Sequence, residues 1–78
     1  MDTHLKYSYR IMWSDEENQH MGTCAEFPSL SFFAESPAYA LAGITAAVKE
    51  VVQDMKTENE TVPAPLSLNH IVSNKLAN

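Results

Sequence analysis

Apolar and polar side chains alternate along residues 5–13 of this chain. The odd positions hold Leu5, Tyr7, Tyr9, Ile11 and Trp13, and the even positions hold Lys6, Ser8, Arg10 and Met12. A period of two with many aromatic residues is typical of a β-strand that has one buried face. The alternation therefore predicts a first strand over residues 5–13.

Turn-forming residues divide the next segment into two further strands. Residues 14–20 are polar and acidic, as in a hairpin loop, and Pro28 cannot donate a hydrogen bond to a strand ladder. The segments on either side of Pro28 predict strands over residues 20–26 and 30–35. Three strands joined by two short connections form an antiparallel meander.

A helix over residues 37–57 is predicted to follow the third strand. Ser36 can cap its free backbone amides, and Pro37 has the backbone angle of the first helical position. Apolar residues then recur at spacings of three and four, which is typical of a helix with one buried face. This predicted face comprises Leu41, Ile44, Val48, Val51, Val52 and Met55.

Residues 62–65, Val-Pro-Ala-Pro, predict a stiff, extended segment. Ser67 could cap a short final helix, and a fourth strand is the alternative. The apolar face of that helix would hold Leu68, Ile71, Val72 and Leu76. We therefore predict an α+β fold: a three-stranded antiparallel β-meander with one long helix on one face, plus a short C-terminal helix. Residues 1–62 would form the domain, and residues 63–78 a linker and the final helix.

Length and charge limit the possible classes of protein. The chain has 78 residues, enough for one small domain with a marginal core, so we expect a homodimer or a larger oligomer. Its formal net charge is −5 and its five basic residues are scattered, which argues against a surface that follows nucleic-acid phosphates. The acidic balance favours a basic partner, or serves solubility alone.

The single cysteine, Cys24, allows no internal disulfide and fits a reducing compartment. No segment has the pattern of a signal peptide or the length of a membrane span. We therefore expect a cytoplasmic protein. On a strand, Cys24 is expected to act as a small hydrophobic residue.

Few side chains have a spacing that suits catalysis or metal binding. Asp15, Glu16 and Glu17 are adjacent in a loop, where carboxylates usually point in different directions, so we expect no metal site. No pair of histidines has the spacing of a ligand set, and we expect His4, His20 and His70 to lie at the surface. The residues thus predict no catalytic site and no cofactor.

Aromatic residues are numerous for so small a core, and one helix cannot cover three strands completely. Trp13 and Phe27 are the candidates for an exposed binding surface. Incomplete coverage of the sheet is the structural alternative. Together with the acidic loop, the candidate partner-binding residues are Trp13, Asp15, Glu16, Glu17 and Phe27.

Five segments in this order and spacing resemble the HicB antitoxin family, whose partners are the HicA messenger-RNA-cleaving toxins. They are Y-S-Y-R-I-M-W-S at 7–14, T-C-A-E-F-P-S-L-S at 23–31, S-P-A-Y-A-L-A-G-I at 36–44, V-V-Q-D-M at 51–55 and V-P-A-P-L-S at 62–67. The resemblance implies a bacterial antitoxin without catalytic activity of its own. It would bind a small basic ribonuclease toxin and cover the toxin's RNA site.

Members of that family usually continue into a ribbon-helix-helix DNA-binding module. Residues 67–77, S-L-N-H-I-V-S-N-K-L-A, resemble its second helix, while its DNA-reading strand and first helix are missing. Such a module reads DNA with paired strands from two chains, so we expect no specific DNA binding. Its second helix is buried in a dimer, which makes Leu68, Ile71, Val72 and Leu76 the candidates for self-association.

Two other hypotheses for the function of this chain remain open. The chain could be an orphan, degraded HicB paralogue that only self-associates, without binding a toxin or DNA. It could also be a vestigial nuclease-like domain that uses Asp15, Glu16 or Glu17. A sheet edge near Trp13 offers a second surface for association.

Overall fold

The computed structural model describes residues 3–66 and has an α+β fold. A short 3₁₀ helix precedes three strands and one long helix, in the order 3₁₀ (Thr3–Lys6), β1 (Tyr9–Ser14), β2 (Gln19–Cys24), β3 (Ser31–Ala34) and α1 (Pro37–Thr57). The predicted meander followed by one helix is confirmed. Among these residues no helix is both long and apolar enough to cross a membrane.

The strands form one antiparallel sheet in the order β1-β2-β3, so β2 is central. Tyr9 pairs with Cys24 at one end of the β1–β2 ladder, and Ser14 pairs with Gln19 at the other. The tight turn between them has Asn18 in the left-handed region with φ 55°, which asparagine tolerates better than most residues. The Ser14 hydroxyl accepts a hydrogen bond from the Glu17 amide at 3.2 Å.

The first strand begins at Tyr9, four residues later than predicted, and Leu5 lies in the 3₁₀ helix with 66% of its surface exposed. β1 cannot begin earlier because β2, its partner in the ladder, ends at Cys24. The Ala25 amide still donates to the Ser8 carbonyl at 2.9 Å, but the chain turns at Phe27, whose amide donates to the Cys24 carbonyl at 3.1 Å. Residues before 8 therefore have no neighbouring strand to pair with.

The helix has the predicted bounds, and its start follows from the predicted cap. The Ser36 side chain accepts a hydrogen bond from the Tyr39 amide at 3.1 Å, and Pro37 is the first helical residue. This cap satisfies one of the amides that an α-helix leaves free at its N-terminus.

The helix packs on the sheet through Ala40, Ile44, Val48 and Val52, which are at most 3% exposed. The prediction that Leu41 is buried was wrong, because Leu41 is 44% exposed. The buried positions follow an i, i+4 row, which winds slowly around the helix axis. Leu41 is rotated by about 100° from Ala40 and therefore points away from the sheet.

The remaining predicted helix residues divide between full and partial burial. Ile44, Val48 and Val52 are buried as expected, whereas Val51 and Met55 are half-buried at the flanks of the contact. Tyr7 and Cys24 complete the buried cluster from the sheet side. The cluster is small, as the chain length predicted.

Gly22 allows the helix to approach the middle of the sheet. A β-carbon added at Gly22 would lie 2.7 Å from the Ala40 carbonyl oxygen and 2.9 Å from Ile44 Cγ2. Gly22 and its cross-strand neighbours Ile11 and Phe32 thus belong to the covered face of the sheet, the face that carries the helix. The alternate residues of each strand belong to the opposite face, here called the open face.

After the helix, the chain returns to the sheet. Val62 packs against the buried cluster, and the Pro63 carbonyl accepts a hydrogen bond from the Tyr7 hydroxyl at 2.7 Å. The predicted final helix with its Ser67 cap, and its apolar face at Leu68, Ile71, Val72 and Leu76, lie outside the described residues.

Candidate protein-binding surfaces

Trp13 lies at the end of the sheet that carries the β1–β2 turn, and half of its surface is exposed. Its Nε1 donates a hydrogen bond to Asp15 Oδ1 at 2.7 Å. The His20 ring, opposite in the ladder, meets the indole edge to face with centroids 5.1 Å apart. The indole is therefore held from two sides while it still faces solvent.

Asp15, Glu16 and Glu17 are all exposed in the turn next to Trp13. We call Trp13 and these three acidic residues the hairpin patch. The structure thus brings together four of the five predicted partner-binding residues. Within residues 3–66, no group of three histidine, cysteine or acidic residues is arranged to hold a metal ion.

Phe27, the fifth predicted residue, lies at the opposite end of the sheet. It follows Cys24, which pairs with the first residue of β1, whereas the hairpin patch follows the last residue of β1. Phe27 is half-buried, packs against the core and contacts the Tyr7 ring at a centroid distance of 5.6 Å. The structure therefore separates Phe27 from the hairpin patch.

The histidines and the cysteine occupy different environments. His4 is only 7% exposed, so its predicted surface position was wrong: the 3₁₀ helix turns this residue inward. His20 is half-buried beside Trp13, and His70 lies outside the described residues. Cys24 is 1% exposed, and its burial raises the pKa of the thiol, so the reactive thiolate is disfavoured.

Glu26 is a buried residue that the sequence analysis did not single out. Its Oε1 accepts hydrogen bonds from the Ser8 amide at 3.0 Å and from Cys24 Sγ at 3.5 Å. Its Oε2 accepts one from the Leu66 amide at 2.8 Å. One carboxylate thus joins the entry to β1, the end of β2 and the segment after the helix. An acidic residue between a strand and an aromatic-proline turn gave no sequence signal for this role.

Two phenols, the buried Tyr7 and the half-buried Tyr9, lie close enough to this carboxylate to feel its charge. Burial raises the pKa of Tyr9 to about 12, and the negative charges of Cys24 and Glu26 add to this effect. The pKa of Tyr7 is raised for the same first reason, with Glu26 as the next cause. The Tyr9 hydroxyl donates to the His4 carbonyl at 2.7 Å, so both phenols serve as neutral hydrogen-bond donors.

The open face of the sheet carries three rows of side chains that run across the strands. The cross-strand register places them as Arg10–Thr23–Ser31, Met12–Met21–Phe33 and Ser14–Gln19. Met12 and Phe33 are each 36% exposed, and Met21 is half-buried. The central row is thus an apolar band with polar rows on both sides.

A hollow of about 480 Å³ opens on the same face beside Arg10. Met12, Thr23 and Pro28 are among the residues that line it. The sequence alternation had placed Arg10 and Met12 on one side of the first strand. It did not indicate that Met21 and Phe33 would extend this side into a band, because that depends on strand register.

Comparisons with known proteins found no match to this chain among protein-family models, curated proteins or solved structures. The fold and the two surfaces therefore carry the functional argument, together with the sequence resemblance.

Proposed function

We propose that this chain is an antitoxin that binds a small basic ribonuclease toxin of the HicA type and masks its RNA site. The resemblance to the HicB family supplies the class of partner. The hairpin patch supplies the observation that carries the proposal: an exposed tryptophan, held in place, beside three exposed carboxylates.

A tryptophan held in one orientation is well suited to anchor a protein interface. It offers a large contact area, and little rotamer freedom is left to lose on binding. The bond to Asp15 and the contact with His20 fix the Trp13 ring in the free protein. Burial of this ring against a toxin would then supply a large share of the affinity.

The charge of the hairpin patch suits a basic partner. Ribonucleases that bind RNA expose cations to the phosphates, and the same cations attract Glu16 and Glu17. A protein that covers these cations blocks RNA access without any chemical step. This mechanism needs no metal and no nucleophile from the antitoxin.

The test is RNA cleavage by a purified HicA-type toxin with increasing amounts of this chain. We expect inhibition at about equimolar protein, with Trp13→Ala weakening the complex about 30-fold, as for an interface hot spot of about 2 kcal/mol. The double variant Glu16→Lys, Glu17→Lys should slow association and weaken its dependence on salt.

A matched control reverses the charge of two acidic residues just after the C-terminus of α1, in the variant Glu58→Lys, Glu60→Lys. Both are exposed. Glu58 lies about 21 Å along the helix direction from Ile44, the residue that packs over Gly22 in β2. This variant has the same net charge as the hairpin variant and should still inhibit the toxin. Failure of the unmodified chain to bind HicA-type toxins at about 10 μM, where a specific complex would form, contradicts the proposal.

The second candidate is an orphan HicB paralogue that acts only as a self-associating structural domain. The apolar band on the open face favours it, because the described helix covers only the other face of the sheet. A stable homo-oligomer that ignores every HicA-type toxin would support this candidate. The third candidate, a nuclease-like domain, predicts metal-dependent RNA cleavage that is lost in Glu16→Ala.

A further inference from the structure

We propose that the open face of the sheet is the interface of a homodimer, in which two copies pack face to face about a two-fold axis along the row Met12–Met21–Phe33. This inference does not depend on the toxin. It also differs from self-association through residues 67–78 or through a strand edge. Three features of the open face favour a second copy as its occupant: the apolar band, the distribution of charge around it and the hollow beside Arg10.

The apolar band is suited to meet its own copy. A two-fold axis along the row places each of its three side chains near the same residue of the second copy, as in an isologous contact. Methionine adapts its shape to a partner surface, and Phe33 adds a large contact area. The small buried core of this chain leaves stability to be gained from such burial.

The distribution of charge matches the same axis. In the described strands Arg10 is the only charged residue on this face, two positions from Met12. On the other side of Met12, Ser14 is two positions away, and the turn with Glu16 and Glu17 follows it. Rotation about the row reverses the strand direction, so Arg10 of each copy lies over Ser14 of the other, next to the turn that carries Glu16 and Glu17.

The shape of the face agrees with this placement. The hollow lies at the Arg10 end, and the β1–β2 turn lies at the opposite end of the same ladder. The two-fold operation therefore sets the turn of one copy over the hollow of the other. A basic protein on this face would instead bring its own positive charge against Arg10, which favours a second copy as the occupant.

The size of the face indicates a weak dimer. Three strands span about 14 Å and five residues about 17 Å, so two copies together bury on the order of 500–1,000 Å². This is smaller than most specific interfaces, so the dimer should be transient, with a dissociation constant in the high micromolar range.

The experiment is sedimentation equilibrium of the full 78-residue chain at physiological salt, from about 1 μM to about 1 mM, which spans the expected range of affinity. We expect a reversible monomer–dimer equilibrium. Met12→Asp and Met21→Asp should each weaken the dimer at least tenfold, because a carboxylate would be buried in the apolar band. Leu41→Asp is the matched control: Leu41 is exposed on the helix and should leave the equilibrium unchanged.

Charge reversal tests the orientation of the two copies. Arg10→Glu alone, or Glu16→Lys with Glu17→Lys, should weaken the dimer about tenfold, since like charges then face each other. The triple variant that combines them should restore the affinity to within about threefold. Such a recovery would show that the parents lose affinity through charge and not through misfolding, and circular dichroism checks the folding of the methionine variants.

Four results would overturn the proposal. They are a monomer at all concentrations, a dimer unaffected by both methionine variants, a triple variant no better than its parents, and a dimer lost in Ile71→Asp but not in Met12→Asp. Trp13→Ala should not change the equilibrium, because Trp13 belongs to the covered face. Trp13→Ala therefore tests toxin binding alone, and the two methionine variants test dimerisation alone, whereas Glu16 and Glu17 take part in both proposals.

Discussion

At the residue scale, the carboxylate of Glu26 joins parts of the chain that are far apart in sequence. It accepts hydrogen bonds from Ser8, Cys24 and Leu66, and the Tyr7 hydroxyl binds the Pro63 carbonyl nearby. A buried acceptor is stabilising only when its donors remain in place, since an unpaired buried polar group loses its hydration without compensation. These few polar atoms decide how residues 62–66 attach to the domain.

Replacement of Glu26 tests this attachment. Glu26→Ala leaves the amides of Ser8 and Leu66 without their acceptor, and we expect a loss of about 1–3 kcal/mol in the free energy of unfolding. Hydrogen exchange at the Leu66 amide should accelerate more than at amides within α1. Glu50→Ala, at an exposed helix position, is the control and should change stability by less than about 0.5 kcal/mol. Equal effects of the two variants would contradict this role of Glu26.

The raised pKa of Tyr9 predicts a loss of stability at alkaline pH. The folded chain holds the phenol proton up to a pKa of about 12, whereas the unfolded chain releases it at the ordinary value of 10.0. The unfolded state therefore binds fewer protons in this interval, and stability falls as the pH rises from about 10 to about 12. Below this interval the stabilisation from Tyr9 is fully present.

The measurement is urea denaturation of the native chain and of Tyr9→Phe at several values between about pH 8 and about pH 11.5. The stability advantage of the native chain should shrink as the pH rises. Tyr39→Phe, which removes the hydroxyl group of a residue that is 69% exposed, is the control variant. If the native chain exceeds Tyr9→Phe in stability by the same amount at every pH, the pKa of Tyr9 is not raised.

At the element scale, the packing of α1 on the sheet accounts for most of the core. The buried row from Ala40 to Val52 contacts the sheet along an i, i+4 line, and β2 lies beneath it. Burial of a helix face of this kind supplies the stability that a single isolated helix of this length lacks. The same geometry decides which apolar residues of the helix are dispensable.

Two alanine substitutions distinguish the buried row from its neighbour. Ile44→Ala removes a fully buried side chain and should cost about 2–5 kcal/mol, enough to unfold a domain of this size. Leu41→Ala removes an exposed side chain and should cost less than about 1 kcal/mol. Thermal unfolding followed by circular dichroism measures both. Similar melting temperatures for the two variants would mean that the helix is rotated relative to this structure.

The close approach of helix and sheet at Gly22 gives a further test. In Gly22→Ala the added methyl group would meet the Ala40 carbonyl oxygen at 2.7 Å, and a helix backbone cannot yield locally. We expect a loss of about 1–3 kcal/mol. In Gly43→Ala the obstacle is the Phe32 side chain, whose Cγ would lie 2.6 Å from the added methyl group; Phe32 is 40% exposed and can swing outward about χ1, and alanine gains about 1 kcal/mol of helix propensity. Chemical denaturation should therefore rank Gly22→Ala as the more damaging change.

At the scale of the whole molecule, charge and exposed apolar surface determine what the domain can bind. Trp13 and the apolar band lie on different faces of one sheet, since Trp13 alternates with Met12 along β1. A chain with these two surfaces can bind a partner with one and a second copy with the other. Dimerisation through the open face would leave Trp13 of both copies on the outer faces of the dimer.

The charge of the chain also predicts weak binding to nucleic acids. With a net charge of −5 and scattered basic residues, the chain should not compete for duplex phosphates at physiological salt. A gel shift with random and genomic DNA fragments measures this. Sequence-specific retardation by the purified 78-residue chain would contradict the prediction.

The sequence by itself determined the elements of this fold. The Ser36-Pro37 cap and the three- and four-residue spacing predicted α1 at its observed bounds, alternation predicted the first strand, and turn residues delimited the other two. It also identified the hairpin patch, because Trp13 and the acidic turn are neighbours along the chain. Local backbone preference and periodicity are properties of short segments, so they can be read without tertiary contacts.

Only the tertiary structure decided how these elements meet. The exposure of Leu41 depends on the line along which the helix crosses the sheet, and the late start of β1 depends on where β2 turns. The link between Glu26 and Leu66, which are 40 residues apart, and the band across three strands both depend on register. Such contacts join residues that are distant in sequence, and no local pattern of residues encodes the distance between them.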